Sequence, residues 1–229
     1  MNKENLLFVT VGLLAGLIIG FMFANSVNQN AVKPVSASPN SPNVPAGHPA
    51  IGGANDAMQP QIQALIEKAK AEPEDFEAQI KAAEVYYQIQ RFEGAIEFLK
   101  KANKLKPEDY ETIVNLGNAY FDASKYEEAE KSYNAALAKK SDDVNVRTDL
   151  GLTFIFREPP NFDRAVQEFQ RALEKEPNHT QALQNLTVAF TKKGDAAQAK
   201  ITLAKLESAD PTNASISKLR EEIQKLESK

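Results

Sequence analysis

The stretch Pro107–Ser141, PEDYETIVNLGNAYFDASKYEEAEKSYNAALAKKS, recurs in outline elsewhere in the 229-residue chain. Its boundary residues set a period: Pro73, Pro107, Ser141, Pro177 and Pro211 stand 34, 34, 36 and 34 residues apart. Self-similarity at that spacing marks a stacked array in which each unit is one supersecondary element. Within the stretch, Leu116, Gly117 and Tyr120 precede a single break, and Tyr126, Ala129, Tyr133 and Ala136 follow it, mostly three or four apart. The pattern predicts two amphipathic helices joined by a short turn. Gly117 and Ala129 let the two backbones approach while Tyr120 and Tyr133 fill the space beside them. A large side chain at Ala129 is expected to overpack that crossing.

The other units repeat these residue types in register. The first has Ala82-Ala83, Tyr86, Phe92, Ala95, Leu99, Ala102 and Pro107; the third has Leu150-Gly151, Phe154, Phe162, Ala165, Phe169, Ala172 and Pro177. The fourth has Leu186-Thr187, Phe190, Ala196, Ala199, Leu203, Leu206 and Pro211, departing at the glycine and the last alanine. On these residues the chain resembles the tetratricopeptide repeat (TPR) family, whose signature is Leu-Gly, Tyr, Ala, Phe and Pro at set offsets. The signature tryptophan is absent, with Gln79, Ile113, Arg147 and Leu183 in its place. The resemblance runs from Phe76 to about Thr212 and implies an all-α superhelical array of antiparallel helix pairs. Its four repeats are expected at about 76–109, 110–143, 144–179 and 180–213.

Flanking helices are expected at both ends of a TPR domain spanning 58–229. Pro60–Ala71 places Ile62, Leu65, Ile66 and Ala69 on one face, as in the second helix of an incomplete repeat. The turns Pro73-Glu74-Asp75 and Pro107-Glu108-Asp109 supply N-caps for the helices that follow. Residues 214–228 carry Ile216, Leu219, Ile223 and Leu226 among charged residues, the pattern of a capping helix. A coiled-coil seam is the alternative for that stripe. The third unit is two residues longer, with Pro159-Pro160 at its internal turn, where Pro160 can begin the second helix.

Composition excludes several functions. With no cysteine and two distant histidines, His48 and His179, neither thiolate chemistry nor a histidine metal site is expected. Phosphate-binding, nucleophile-elbow and metalloprotease motifs are absent, so neither an enzyme nor a cofactor is expected. A net charge of -4, with lysine pairs such as Lys100-Lys101 late in helices, gives no nucleic-acid track.

The first segment, 1–27, has a different character. Leu6–Ala24 is 19 residues without a charge, about 28 Å as a helix and close to the thickness of a bilayer's hydrocarbon core. An uncleaved single-pass anchor in a bacterial inner membrane is expected, since a signal peptide has a shorter apolar region and a clearer cleavage site. Lys3 before the span leans the TPR domain toward the extracytoplasmic side. Gly12, Gly16 and Gly20 make a strip of small residues that permits homo-oligomeric contact between such helices. Residues 28–57, rich in proline, serine, asparagine and glycine, read as a disordered tether.

TPR resemblance implies a groove, lined by the first helix of each pair, that binds a protein or peptide. The stripe beside the signature face contains Ile80, Glu84 and Tyr87; Val114, Asn118 and Phe121; Thr148, Leu152 and Ile155; and Val188. Asn115, Asn118, Gln181 and Asn185 add groups able to bond a ligand backbone. Family members that bind chaperone tails use a basic clamp; Ile80, Glu84, Asn115, Asn145 and Asp149 stand at those positions, which disfavours that ligand. The layout is similar to anchored TPR subunits that assist cytochrome c maturation or envelope assembly. A self-assembling scaffold, joined through the membrane span and the C-terminal helix, is the structural alternative.

Overall fold

A computed structural model describes residues 54–228. The expected span Leu6–Ala24, its strip of Gly12, Gly16 and Gly20, and most of the 28–57 segment lie outside those residues. No described helix is long and apolar enough to cross a membrane.

Ten helices make up the described residues. They are α1 (Ala54–Ala71), α2 (Phe76–Gln88), α3 (Phe92–Leu105), α4 (Tyr110–Asp122), α5 (Tyr126–Lys139), α6 (Val144–Phe156), α7 (Phe162–Lys175), α8 (Thr180–Lys193), α9 (Ala196–Ala209) and α10 (Ile216–Glu227). Contacts run mainly between helices adjacent in the chain, with α6 also touching α8 and α8 touching α10. This is the connectivity of a solenoid, in which each repeat is stabilised by its neighbours. Helix α1 begins at Ala54, ahead of the expected start at Pro60, which lies inside it. Ala54, Ala57 and the acidic Asp56 suit a first helical turn, so the helix extends into the segment expected to be disordered.

Within each pair, two facing positions set how closely the helices cross. A Cβ added to Gly117 would lie 2.6 Å from the Tyr133 ring, and one on Gly151 would meet the Phe169 ring just as closely. Where the second helix instead carries Leu99 or Leu203, the first carries Ala83 or Thr187, so the volume lost on one side returns on the other. Thr187 is fully buried, and its hydroxyl donates to the Leu183 carbonyl at 2.8 Å. In the first pair the close approach shifts to Gly94, which lies under the Tyr86 ring; Tyr86 in turn stacks on Phe98 at 5.5 Å. Ala95, Ala129, Ala165 and Ala199 are all completely buried beside these contacts.

Turns inside the repeats share one closure. Gln90, Ser124 and Gly194 each adopt a left-handed conformation, with φ of 58, 58 and 86°. The next residue's N–H then donates five residues back: Arg91 to Tyr86, Lys125 to Tyr120 and Asp195 to Phe190, at 2.8, 2.8 and 2.9 Å. The longer third turn keeps the same acceptor, for Asn161 N–H donates to the Phe154 carbonyl at 2.7 Å. Its Glu158–Pro159 peptide bond is cis. Helix α7 begins at Phe162 with Asn161 as its cap, so Pro160 precedes the helix and does not start it.

Between repeats, Asp75, Asp109, Asp143 and His179 cap α2, α4, α6 and α8 through bonds to backbone N–H groups at 2.9–3.2 Å. Two of these caps also reach back one repeat. Tyr110 donates to Asp143 Oδ2 at 2.7 Å, and His179 Nε2 lies 3.0 Å from Asn145 Oδ1. Burial holds the imidazole below its usual range, as suits a neutral ring that accepts at Nδ1 and donates at Nε2. Two residues at the missing tryptophan positions also tie the preceding turn. Gln79 Nε2 donates to the carbonyls of Ala69 and Glu72, and Arg147 to Ser141 and the buried Glu168. The apolar residues of α10, Ile216, Leu219 and Ile223, are buried, so its stripe closes the array.

Replacing Gly117 with Ala should therefore lower stability to urea by about 1–3 kcal/mol. The loss should shrink when Tyr133 is first replaced by Leu, the size of residue that faces Ala83 and Thr187.

Candidate peptide-binding groove

Helices α2, α4, α6 and α8 are the first members of their pairs, and the expected groove residues fall on them at corresponding registers. Ile80, Glu84 and Tyr87 of α2 are half-buried, as are Val114, Asn115 and Asn118 of α4, Ile155 of α6, and Gln181 and Val188 of α8. Phe121, Thr148, Leu152 and Asn185 are buried between neighbouring helices. Thr148 donates to the Val144 carbonyl at 2.8 Å, and Phe121 meets Tyr126 and Phe156 edge to face at 5.5 and 5.7 Å. The amide nitrogen of Asn185 has no partner among the described residues.

Two carboxylates outside the expected stripe prove central: Asp122, and Asp149, which the sequence alone marks only as an acidic residue at a clamp position. Tyr87 of α2 donates a short hydrogen bond to Asp122 Oδ2 at the end of α4, joining the first two repeats. Tyr133 reaches from α5 past Gly117, and its hydroxyl donates to Asn118 Oδ1 at 2.8 Å. Asp149, in the middle of α6, lies close enough for its charge to act on both tyrosines. Burial, helped by Asp143 and Asp122, pushes the Asp149 carboxyl up to about 7. Burial also raises Asp122, although the bond from Tyr87 works in the opposite direction. Tyr87, Asn118, Asp122 and Asp149 keep some exposure, while Tyr133 is buried.

The floor is short of cations. Helix α4 has no lysine or arginine, and the only one in α6, Arg147, is held by Glu168 and the Ser141 carbonyl. Among the described residues no group of His, Asp and Glu is placed to hold a metal ion. The signal for Asp149 was present in its position: an aspartate in mid-helix is a poor helix former unless something else fixes it.

Comparison with family models identifies the class: the chain belongs to the tetratricopeptide repeat family. One model of this repeat matches residues 90–150 and 161–223, and a second matches 55–104. Comparison with curated protein sequences gives no match. Solved structures show the same fold. MamA is 23% identical, with a TM-score of 0.62 over 71% of this chain and 94% of that one. The 41-end form of MamA from Desulfovibrio magneticus is 19% identical, with 0.62 over 71% and 90%. YrrB, described as a TPR protein with an unusual peptide-binding site, is 17% identical, with 0.62 over 73% and 86%.

Because folding raises the Asp149 pKa, its protonated form favours the folded state. That contribution is complete below the ordinary carboxylate range, near pH 4, and is lost as pH rises through about 7. In urea titrations Asp149→Asn should therefore be more stable than the parent at pH 8, with the difference closing near pH 4.

Proposed function

We propose that this protein is a membrane-tethered TPR scaffold that binds a protein or peptide partner along its first helices, without chemistry of its own. The observation that carries this is the row of half-exposed side chains Val114, Asn118, Ile155 and Val188, left partly open after the repeats have packed on one another. Apolar positions alternate there with groups able to bond a ligand backbone, as peptide grooves require. The peptide-binding description of YrrB, which shares the fold, supports the same assignment.

The tether rests on Leu6–Ala24, and its extracytoplasmic orientation on Lys3. A scaffold so placed suits the assembly or maturation of envelope proteins, cytochromes c among them. The strip Gly12, Gly16, Gly20 would let two anchors pair.

The groove is tested by affinity capture of the full chain from solubilised membranes. Val114→Glu with Val188→Glu should reduce recovery of the partner about tenfold, a loss of about 1.4 kcal/mol. Ala135→Glu, at an exposed position of α5, should leave recovery unchanged; equal recovery by all three proteins would place binding elsewhere. For the tether, the full chain should stay in the membrane pellet through alkaline carbonate washing, and a chain lacking residues 1–27 should appear in the supernatant.

A further inference from the structure

We propose that the groove recognises peptides carrying a lysine or arginine, whose cationic group sits over Asp122 and Asp149 on the groove floor. This rests on the peptide-binding function proposed above and names the chemistry that the partner must bring.

Asp149 and Glu84 alone among the half-buried carboxylates of the described repeat helices and turns have neither a hydrogen bond nor an ion pair, and Asp149 is the more closely enclosed of the two. Asp75, Asp109, Asp143 and Asp195 cap helices. Glu130 holds Arg157 and Arg164, Glu168 holds Arg147 and Arg171, and Asp122 accepts from Tyr87. Asp149 has neither a hydrogen bond nor an ion pair among the described residues, although it is closely enclosed. An enclosed carboxylate without a partner is unfavourable, and the one cation of its own helix, Arg147, is held by Glu168 and the Ser141 carbonyl. Its neutral form is favoured up to about pH 7, consistent with a counter-charge missing from the unbound chain.

Surrounding groups fit a long cationic side chain better than a bare ion. The half-exposed Val114 and Ile155 offer apolar surface to its methylene stem. One oxygen of Asp122 accepts from Tyr87, and the Asp122 charge reaches Asp149, so the two carboxylates can share an ammonium or guanidinium group. Asn118, whose oxygen takes the Tyr133 hydroxyl, keeps its amide N–H groups for the peptide backbone.

The test uses the full chain in detergent and phage-displayed random dodecapeptides as the probe. Selected peptides should share a lysine or arginine and should lose binding to the Val114→Glu variant. Replacing that basic residue with norleucine should weaken binding to the parent about tenfold, but to Asp149→Asn by less than about threefold. Asp142→Asn, an exposed charge outside the groove, should behave as the parent. Asp122→Asn provides a second removal of charge should Asp149→Asn alter the fold, and should also reduce the penalty. The proposal is overturned if groove-bound peptides share no basic residue, or if the norleucine penalty is the same in both aspartate variants and the parent. If no selected peptide depends on Val114, the groove assignment itself falls, and this proposal with it.

Discussion

An aromatic ring seated on a glycine governs how this chain folds. Tyr133 over Gly117 and Phe169 over Gly151 bring two helices closer than any side chain at the glycine would allow. Close packing makes such a crossing sensitive to a single methyl group. Leu99 with Ala83 and Leu203 with Thr187 meet the same requirement with the volumes exchanged, and the repeats therefore stay alike in backbone while differing in composition. Stacking then depends on the caps. Asp143 and His179 each hold the start of a helix and bond to the repeat before, so one side chain both begins a unit and fixes it to its neighbour.

Much of this was legible in the sequence because it is local or periodic. The period of 34 residues, the Leu-Gly and Ala positions and the aspartate caps specify helix pairs without reference to distant parts of the chain. The exchange of volume between Gly117 with Tyr133 and Thr187 with Leu203 is also written in the sequence, though by signature alone the fourth unit is only a departure. The ends of elements were less legible. Pro60 suits a first turn yet lies inside α1, and Pro160 yields the start of α7 to Asn161, whose side chain caps the helix as no proline can. In the sequence His179 stands out only as one of two distant histidines, and its capping bond depends on which nitrogen carries the proton.

The groove was legible only in outline. Helical spacing identifies a face but not which of its members a neighbouring repeat will cover, so Thr148 and Asn185 are buried while Val114 and Val188 stay partly open. Asp122 became visible through its bond from Tyr87 of the preceding repeat, which depends on how successive pairs stack. A solenoid forms its core from neighbour contacts alone, leaving one face of its first helices available to a ligand without disturbing the core. On that face Asp149 opposes the stability of the unbound chain at neutral pH, a tension that a ligand of opposite charge would relieve.

The central claim, that a partner lies along the first helices, is tested most directly by photo-crosslinking in intact membranes. A benzoylphenylalanine placed at Asn115, half-exposed on α4, is compared with one at Ile201, 52% exposed on α9. The account predicts a partner adduct from position 115 and none from position 201. An adduct from 201 with none from 115 would contradict it.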